Sequence, residues 1–323
     1  MCTAITLKTR DHYFGRNLDF EYGYGEVITI TPRNFKLHFR RLPPMETHYA
    51  MIGIAKIADG YPLYFDATNE HGLSAAGLNF PVSAKYLPEK PGKNNVAPYE
   101  LIPWLLGSCK SVAEATEKLR QANLIDLPFS KELPLSPLHW ILADAIEAIT
   151  IEPTERGIEI HQNPVGVLTN EPPFPFHMTN LNNYMHVTSA ESHNRFSDAL
   201  QLKAYSRGMG SIGLPGDLSS ASRFVRAAFT KMNSVSKDAE SASISQVFHI
   251  LGSVAQTQGC VQVGHLYEKT IYTSCCNTTK GIYYYTTYEN SQITGIRLHS
   301  VDLDEEKLIS YPLIYTQQIR MEN

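Results

Sequence analysis

Cysteine in second position is the first residue here whose chemistry depends on where it stands. The chain opens Met1-Cys2-Thr3, and initiator methionine is commonly removed when the next side chain is small. Removal would leave Cys2 with a thiol and a free α-amine on adjacent carbons. Their reference pKa values are close, roughly 7.7–8.0 for the amine and about 8.5 for the thiol. The amine can then take the proton of its own side chain, so nucleophilic catalysis needs no histidine. Cysteine also stands second in some chains by chance, so its surroundings decide.

Those surroundings are polar in a pattern. Gly15-Arg16-Asn17-Leu18-Asp19 lies where a second strand would fold back on the first and come to rest beside Cys2. Arg16 there would support an anionic sulfur, and Asp19 could hold the α-ammonium. The competing reading is an Arg16–Asp19 hairpin ion pair, worth little if exposed. Asn79 and Asn170 each end an apolar run. Either could polarise a substrate carbonyl at a buried edge, and either could simply form a turn. Arg223 stands on an otherwise apolar helical stretch and either reaches inward or extends its charge to solvent.

Other motifs carry less. Gly208-Met-Gly-Ser-Ile-Gly213 matches the spacing of a dinucleotide loop, but Leu214-Pro215-Gly216 follows where a helix should open. A glycine-rich surface loop is expected. The 12 histidines are scattered, without a paired helical spacing, and no Cys-x-x-Cys exists, so no metal site and no cofactor are expected. Cys109 has no nameable histidine partner. The count of five cysteines is odd, and adjacent Cys275 and Cys276 would form only a strained disulfide. Reduced thiols are expected, four of them as small buried hydrophobes.

The elements that must position these residues read as β, helix, β, helix, β. Strands are expected at Thr3–Thr9, Glu26–Thr31, Tyr61–Asp66 and Leu73–Asn79, then at Trp140–Ala143, Ala148–Glu152, Gly157–His161 and Val165–Thr169. Helices are expected over Tyr99–Leu106, over Val112–Ala122 with Ser111 as cap, and over Ser220–Met232 and Ser243–Leu251. The C-terminal part returns to strands at Thr270–Ser274, Gly281–Tyr288 and Gln292–Leu298. An apolar loop, Asn123 to Pro137, is unusual enough to be a pocket wall. Strands interspersed with helix pairs predict sheets covered by helices, an α+β fold without a clean domain boundary.

Composition narrows the partners. The 323 residues carry 28 Lys+Arg against 32 Asp+Glu, a net charge of −4, which argues against nucleic acid. No apolar run approaches the roughly 20 residues of a membrane span. The N-terminus has no basic stretch followed by an apolar one, so no signal peptide is expected and the protein is assigned to the cytoplasm.

Taken together, these segments resemble the choloylglycine hydrolase family of N-terminal-nucleophile hydrolases, which comprises conjugated bile salt hydrolases and penicillin V acylases. The strings that carry the resemblance are Met1-Cys2-Thr3, Phe14-Gly-Arg-Asn-Leu-Asp19, Ile30-Thr-Pro-Arg-Asn34, Ala76-Gly-Leu-Asn-Phe80 and Asn163-Pro-Val-Gly-Val-Leu-Thr-Asn170. Leu214-Pro-Gly-Asp-Leu-Ser-Ser220, Ser222-Arg-Phe-Val-Arg226 and Ser291-Gln-Ile-Thr294 complete it. It spans essentially the whole chain.

The resemblance implies a four-layer αββα sandwich as a single domain over residues 1–323, with Met1 removed. It implies Cys2 as nucleophile, Arg16 and Asp19 beside it, Asn79 and Asn170 at the oxyanion positions, and Arg223 as a distal active-site arginine. The implied reaction is hydrolysis of the amide joining a bile acid to glycine or taurine. Asn79 favours bile salts, since penicillin V acylases tend to carry tyrosine there. Penicillin V acylase is the alternative within the family; a non-catalytic bile-acid or lipid-binding protein is the alternative of another class. Leu18, Tyr24, Phe65, Leu133 and Leu135 are expected to line the steroid pocket, which should be mostly apolar, although core packing is an equal account of each. A homo-oligomer, often a tetramer in the family, is implied as well.

Overall fold

The computed structural model describes residues 1–323. Its first six strands are β1 (Cys2–Lys8), β2 (His12–Phe20), β3 (Val27–Thr31), β4 (Met51–Ala58), β5 (Tyr61–Asn69) and β6 (Ser74–Asn79). A short β7 (Asn94–Val96) precedes helices α1 (Leu101–Leu106) and α2 (Val112–Arg120). Strands β8 (Ala122–Leu124), β9 (Leu138–Ala143), β10 (Ala148–Thr154), β11 (Gly157–Gln162) and β12 (Val167–Leu168) follow. Helices α3 (Phe174–Asn180), α4 (Ser220–Asn233) and α5 (Glu240–Gly252) lead to β13 (Val261–Val263), β14 (Leu266–Asn277), β15 (Ile282–Thr287), β16 (Thr294–Arg297) and β17 (Ile309–Pro312).

Two large sheets result. One runs β12-β1-β2-β14-β15-β16 with β13 on β14; the other runs β11-β10-β9-β6-β5-β4-β3-β17. Pairing within both is antiparallel. Successive side chains leave opposite faces of a strand, and near-continuous apolar runs supply both faces of the second sheet. In the second sheet Ile52, Ile54, Ala76, Leu78 and Ile141 enter the core shared with the first sheet. Their neighbours Met51, Ala75, Trp140 and Leu142 enter a second core with α1 and α2. Phe224, Ala227, Val247 and Leu251 of α4 and α5 cover the far side of the first sheet. The layers are therefore helix, sheet, sheet, helix, the αββα sandwich expected.

Local chemistry explains the boundaries. Ser111 accepts the Glu114 N–H at 3.2 Å and caps α2, while the Glu114 carboxylate reaches the Lys110 N–H at 2.8 Å. That is one residue outside the reciprocal bond expected of a capping box. Helix α5 starts three residues before the expected Ser243, because Glu240-Ser-Ala-Ser carries no apolar periodicity. Gly281, with φ of 63°, supplies the left-handed residue that closes the β14–β15 hairpin. A Cβ on Gly53 would lie 2.0 Å from the Asp66 carbonyl, so only glycine lets β4 and β5 approach. The glycine run at 208–213 is a loop with one 3-10 turn and no preceding strand, as expected. Cys109, Cys275 and Cys276 are buried, but Cys260 is exposed. That corrects the expectation of four buried structural thiols: its loop, 257–260, is exposed throughout.

Candidate active site

Cys2 begins β1, between β12 and β2, and lies opposite Leu18. Directly opposed residues share a face. Cys2, Leu18 and Arg16 therefore point into the space between the sheets, and Thr3, Asn17 and Asp19 point toward α4 and α5. Arg16 and Asp19 do not pair, since three residues apart on a strand they leave opposite faces. The hairpin ion pair considered from sequence is absent.

Arg16 is fully buried. Its Nη2 donates to Cys2 Sγ at 2.8 Å, and its Nη1 donates to the carbonyls of Phe65 and Gly77, both at 3.0 Å. The guanidinium thus bridges from the nucleophile's strand to β5 and β6. Burial works against its charge, but Cys2, Tyr272 and Asp66 around it hold its pKa above the ordinary arginine value. Asp66 is buried beneath it and accepts from Tyr272 Oη at 2.7 Å, Tyr283 Oη at 2.5 Å and Ser274 Oγ at 3.3 Å.

On the other face, Arg223 reaches inward from α4 and is fully buried. It donates to the Cys2 carbonyl at 2.6 Å, to Thr3 Oγ1 at 2.7 Å, to Asn170 Oδ1 at 2.7 Å and to the Leu218 carbonyl at 3.1 Å. Asp19 accepts from Thr270 Oγ1 at 2.6 Å, beside the irregularity where β14 slips against β2. Its other oxygen, Oδ2, has no hydrogen-bond partner and lies 3.9 Å from Arg223. Burial pushes Asp19 up and Arg223 down. Both are shifted toward neutrality, so desolvation outweighs their mutual attraction.

Asn170 ties the N-terminus to both sheets. Its Oδ1 accepts the Cys2 N–H at 2.8 Å, and its Nδ2 donates to the Asn79 carbonyl at 2.7 Å. Its backbone N–H goes to Ser220 Oγ at 2.8 Å, which leaves the second N–H of its side-chain amide without a partner in the protein. Asn79 ends β6 half-buried, and its own side-chain amide makes no hydrogen bond to the protein. The Met1 ammonium donates to the Asp19 carbonyl at 2.8 Å and pairs with buried Glu268; burial lowers its pKa.

The expected lining residues divide. Leu18 faces Cys2, and Phe65 supplies a carbonyl to Arg16. Tyr24 packs on Phe65 at 5.5 Å and on Phe20 at 5.0 Å, with Tyr22 on the same cluster. Burial raises the Tyr24 pKa, and Cys2 is among the charges close enough to add to it. Leu133 and Leu135 sit half-buried on the loop that enters β9 at Leu138, opposite Asn79. Sequence reading missed Thr3, Asp66, Thr270, Tyr272 and Glu268. Only the alternation that puts Thr3 on Asp19's face gave any signal for them.

A family model for linear amide C–N hydrolases of the choloylglycine hydrolase family matches residues 2–311. The chain belongs to the choloylglycine hydrolase family. Among this hydrolase's relatives, a bile salt hydrolase/transferase of Lactiplantibacillus plantarum is 54% identical over 97% of both chains. One of Clostridium perfringens is 39% identical over 100% of both. The crystal structure of a mutant conjugated bile acid hydrolase from Clostridium perfringens superposes with a TM-score of 0.93, at 39% identity and full coverage of both chains. Penicillin V acylase from Agrobacterium tumefaciens shares the fold, with a TM-score of 0.74 at 18% identity over 97% of this chain and 91% of that one.

Proposed function

We propose that this choloylglycine hydrolase cleaves the amide of glycine- or taurine-conjugated bile salts, acting as a single domain after loss of Met1. The observation that carries the reading is the donation of Arg16 Nη2 to Cys2 Sγ at 2.8 Å, with the Cys2 nitrogen held on Asn170 Oδ1. Nucleophile and prospective base are thereby fixed against one another. Without Met1 the nitrogen is an amine, and the unpartnered Asp19 Oδ2 is a buried acceptor on that side.

The amine takes the thiol proton as sulfur attacks the amide carbonyl carbon. The carbonyl π electrons move to oxygen, and the free side-chain amide of Asn79 is the donor available to that oxyanion. Asn170 anchors the amine through Oδ1, and the second N–H of its side-chain amide is a further donor to the oxyanion. The ammonium protonates the departing nitrogen, the C–N bond breaks, and glycine or taurine leaves a thioester on Cys2. Water, deprotonated by the amine, attacks that thioester and releases the bile acid. The names of the relatives include transfer, which corresponds to an amine replacing water in the last step.

Leu18, Tyr24, Phe65, Leu133 and Leu135 form the steroid-facing set in this reading. The Phe20–Tyr22–Tyr24–Phe65 cluster supplies flat apolar surface for a rigid ring system. A small-molecule substrate rather than nucleic acid accords with the net charge of −4. Exposed Met185, Phe196 and Tyr205 support a homo-oligomer, a tetramer in the family's usual form. Five unpaired cysteines accord with the cytoplasm.

Ninhydrin detection of glycine released from glycocholate tests the reading. Release is expected from the parent and none from Cys2→Ala, whose circular dichroism should be unchanged. Full activity in Cys2→Ala would sink the mechanism. A kcat/KM for penicillin V above that for glycocholate would favour the other branch, and intact mass reports whether Met1 is gone.

A further inference from the structure

Cys2 and Asn79 belong to different sheets, so no ladder of backbone hydrogen bonds sets the distance between them. Side chains make the connection: Arg16 spans from Cys2 Sγ to the Gly77 carbonyl, and residues 170 and 171 hold the end of β6 at and beyond Asn79. Asn170 joins the Cys2 nitrogen to the Asn79 carbonyl, as described. Next to it, the Glu171 carboxylate closes on the segment that follows Asn79. Oε1 accepts both the Val82 N–H at 2.9 Å and the Ser83 N–H at 2.8 Å, and Oε2 accepts Ser83 Oγ at 2.9 Å.

We propose that Glu171 is a positioning residue, whose carboxylate staples Val82 and Ser83 to the Asn170 segment and so fixes the Asn79 amide relative to Cys2. This rests on the reading of Asn79 as the oxyanion donor. The Asn79 side chain has no partner of its own, so its direction follows its backbone. That backbone is held on one side by the Phe80 N–H on the Pro137 carbonyl at 2.7 Å and by Phe80 stacked on His139 at 4.2 Å. Glu171 supplies the opposing side with three charge-assisted bonds, the stronger kind.

Removing the carboxylate leaves the loop itself in place. Ala84 N–H still meets the Phe80 carbonyl at 3.1 Å, and Lys85 N–H still meets the Pro153 carbonyl at 3.0 Å. The Arg16 bridge still spans the two sheets; what loosens is the end of β6 at Asn79 against the Asn170 segment. A misplacement of about 1 Å can cost on the order of 100-fold in rate, so a partial loosening should cost about tenfold.

The test compares the parent with Glu171→Ala, Glu171→Gln and Ser83→Ala, each as the full chain. Glycocholate hydrolysis gives kcat and KM, and iodoacetamide alkylation of Cys2 reports the nucleophile alone. In Glu171→Ala, kcat should fall about tenfold or more, while KM and the alkylation rate stay within about twofold of the parent. Glu171→Gln keeps the oxygen that accepts both backbone N–H groups and should recover most of kcat; Ser83→Ala should lose less than Glu171→Ala. A kcat for Glu171→Ala within about twofold of the parent overturns the proposal. So does a joint loss of kcat, alkylation and thermal stability that Gln does not rescue, since that marks a general structural role. Should the parent release neither glycine from glycocholate nor taurine from taurocholate, the bile salt reading fails by itself. Release of p-nitrophenolate from p-nitrophenyl acetate, which needs the oxyanion donor but no steroid pocket, then judges the staple by the same ratios.

Discussion

Arg223→Gln takes a fully buried cation from between Cys2 and Asp19. The variant loses donors to the Cys2 carbonyl, Thr3 Oγ1, Asn170 Oδ1 and the Leu218 carbonyl. It also leaves Asp19, buried at 0% exposure, without its nearest side-chain cation. Removing one partner of a buried ion pair costs about 3–5 kcal/mol, most of it the stranded charge. At roughly 2 °C per kcal/mol for a chain of this size, Tm should fall by about 6–10 °C. Burial already pushes Asp19 up and Arg223 down, so the pair is held against its own desolvation. The double variant Asp19→Asn/Arg223→Gln removes both charges, and its Tm should lie above that of Arg223→Gln. Calorimetry at one fixed scan rate is the assay, because unfolding at this size is often irreversible. A Tm for Arg223→Gln within about 2 °C of the parent, or a double variant losing the sum of the two single losses, would refute the reasoning.

Three further outcomes are expected. Burial and the neighbouring Lys8 push His12 down to about 4, whereas the unfolded chain takes that proton near 6.5; the folded state thus loses about 3 kcal/mol as pH falls from 6.5 to 4. His12→Asn, which keeps an acceptor for Thr278 Oγ1, should show a shallower fall of Tm over that interval, and parallel curves would refute the assignment. Apart from Cys2, only Cys260 should be alkylated in the folded protein, since burial raises Cys109, Cys275 and Cys276, the last to about 12; peptide mapping before and after unfolding checks this. Tyr24→Ala, which opens the aromatic cluster, should raise KM for glycocholate by about 10-fold, from about 1–2 kcal/mol of lost apolar burial, while the rate of Cys2 alkylation holds.

Much of the scaffold was legible because local signals agreed with tertiary ones. The β1–β2 hairpin follows from alternation and a turn, and it brings Leu18 opposite Cys2. Ser111, the expected cap, starts its helix by accepting a backbone N–H group. Strand β4 was not legible: Met51–Ala58 is buried on both faces over most of its length and so loses the alternation that marks a half-exposed strand. Strand β17 is short and lies at a sheet edge, where pairing with β3 rather than composition defines it.

At the site the division is sharper. The sequence by itself determined that a thiol and a prospective amine share one residue, and that Arg16 and Asp19 follow on a strand able to lie beside it. It left open whether those two charges pair with each other. Tertiary structure decided that they do not: Arg16 turns between the sheets to the sulfur, and Asp19 turns to Arg223 on a helix. It also decided that Asn170 spends its amide on the Cys2 nitrogen and the Asn79 carbonyl, and that Glu171 closes on Val82 and Ser83. Such contacts join residues 53 to 221 positions apart. Strand periodicity fixes which face a side chain leaves by, but only the stacking of the two sheets and α4 fixes what it meets there.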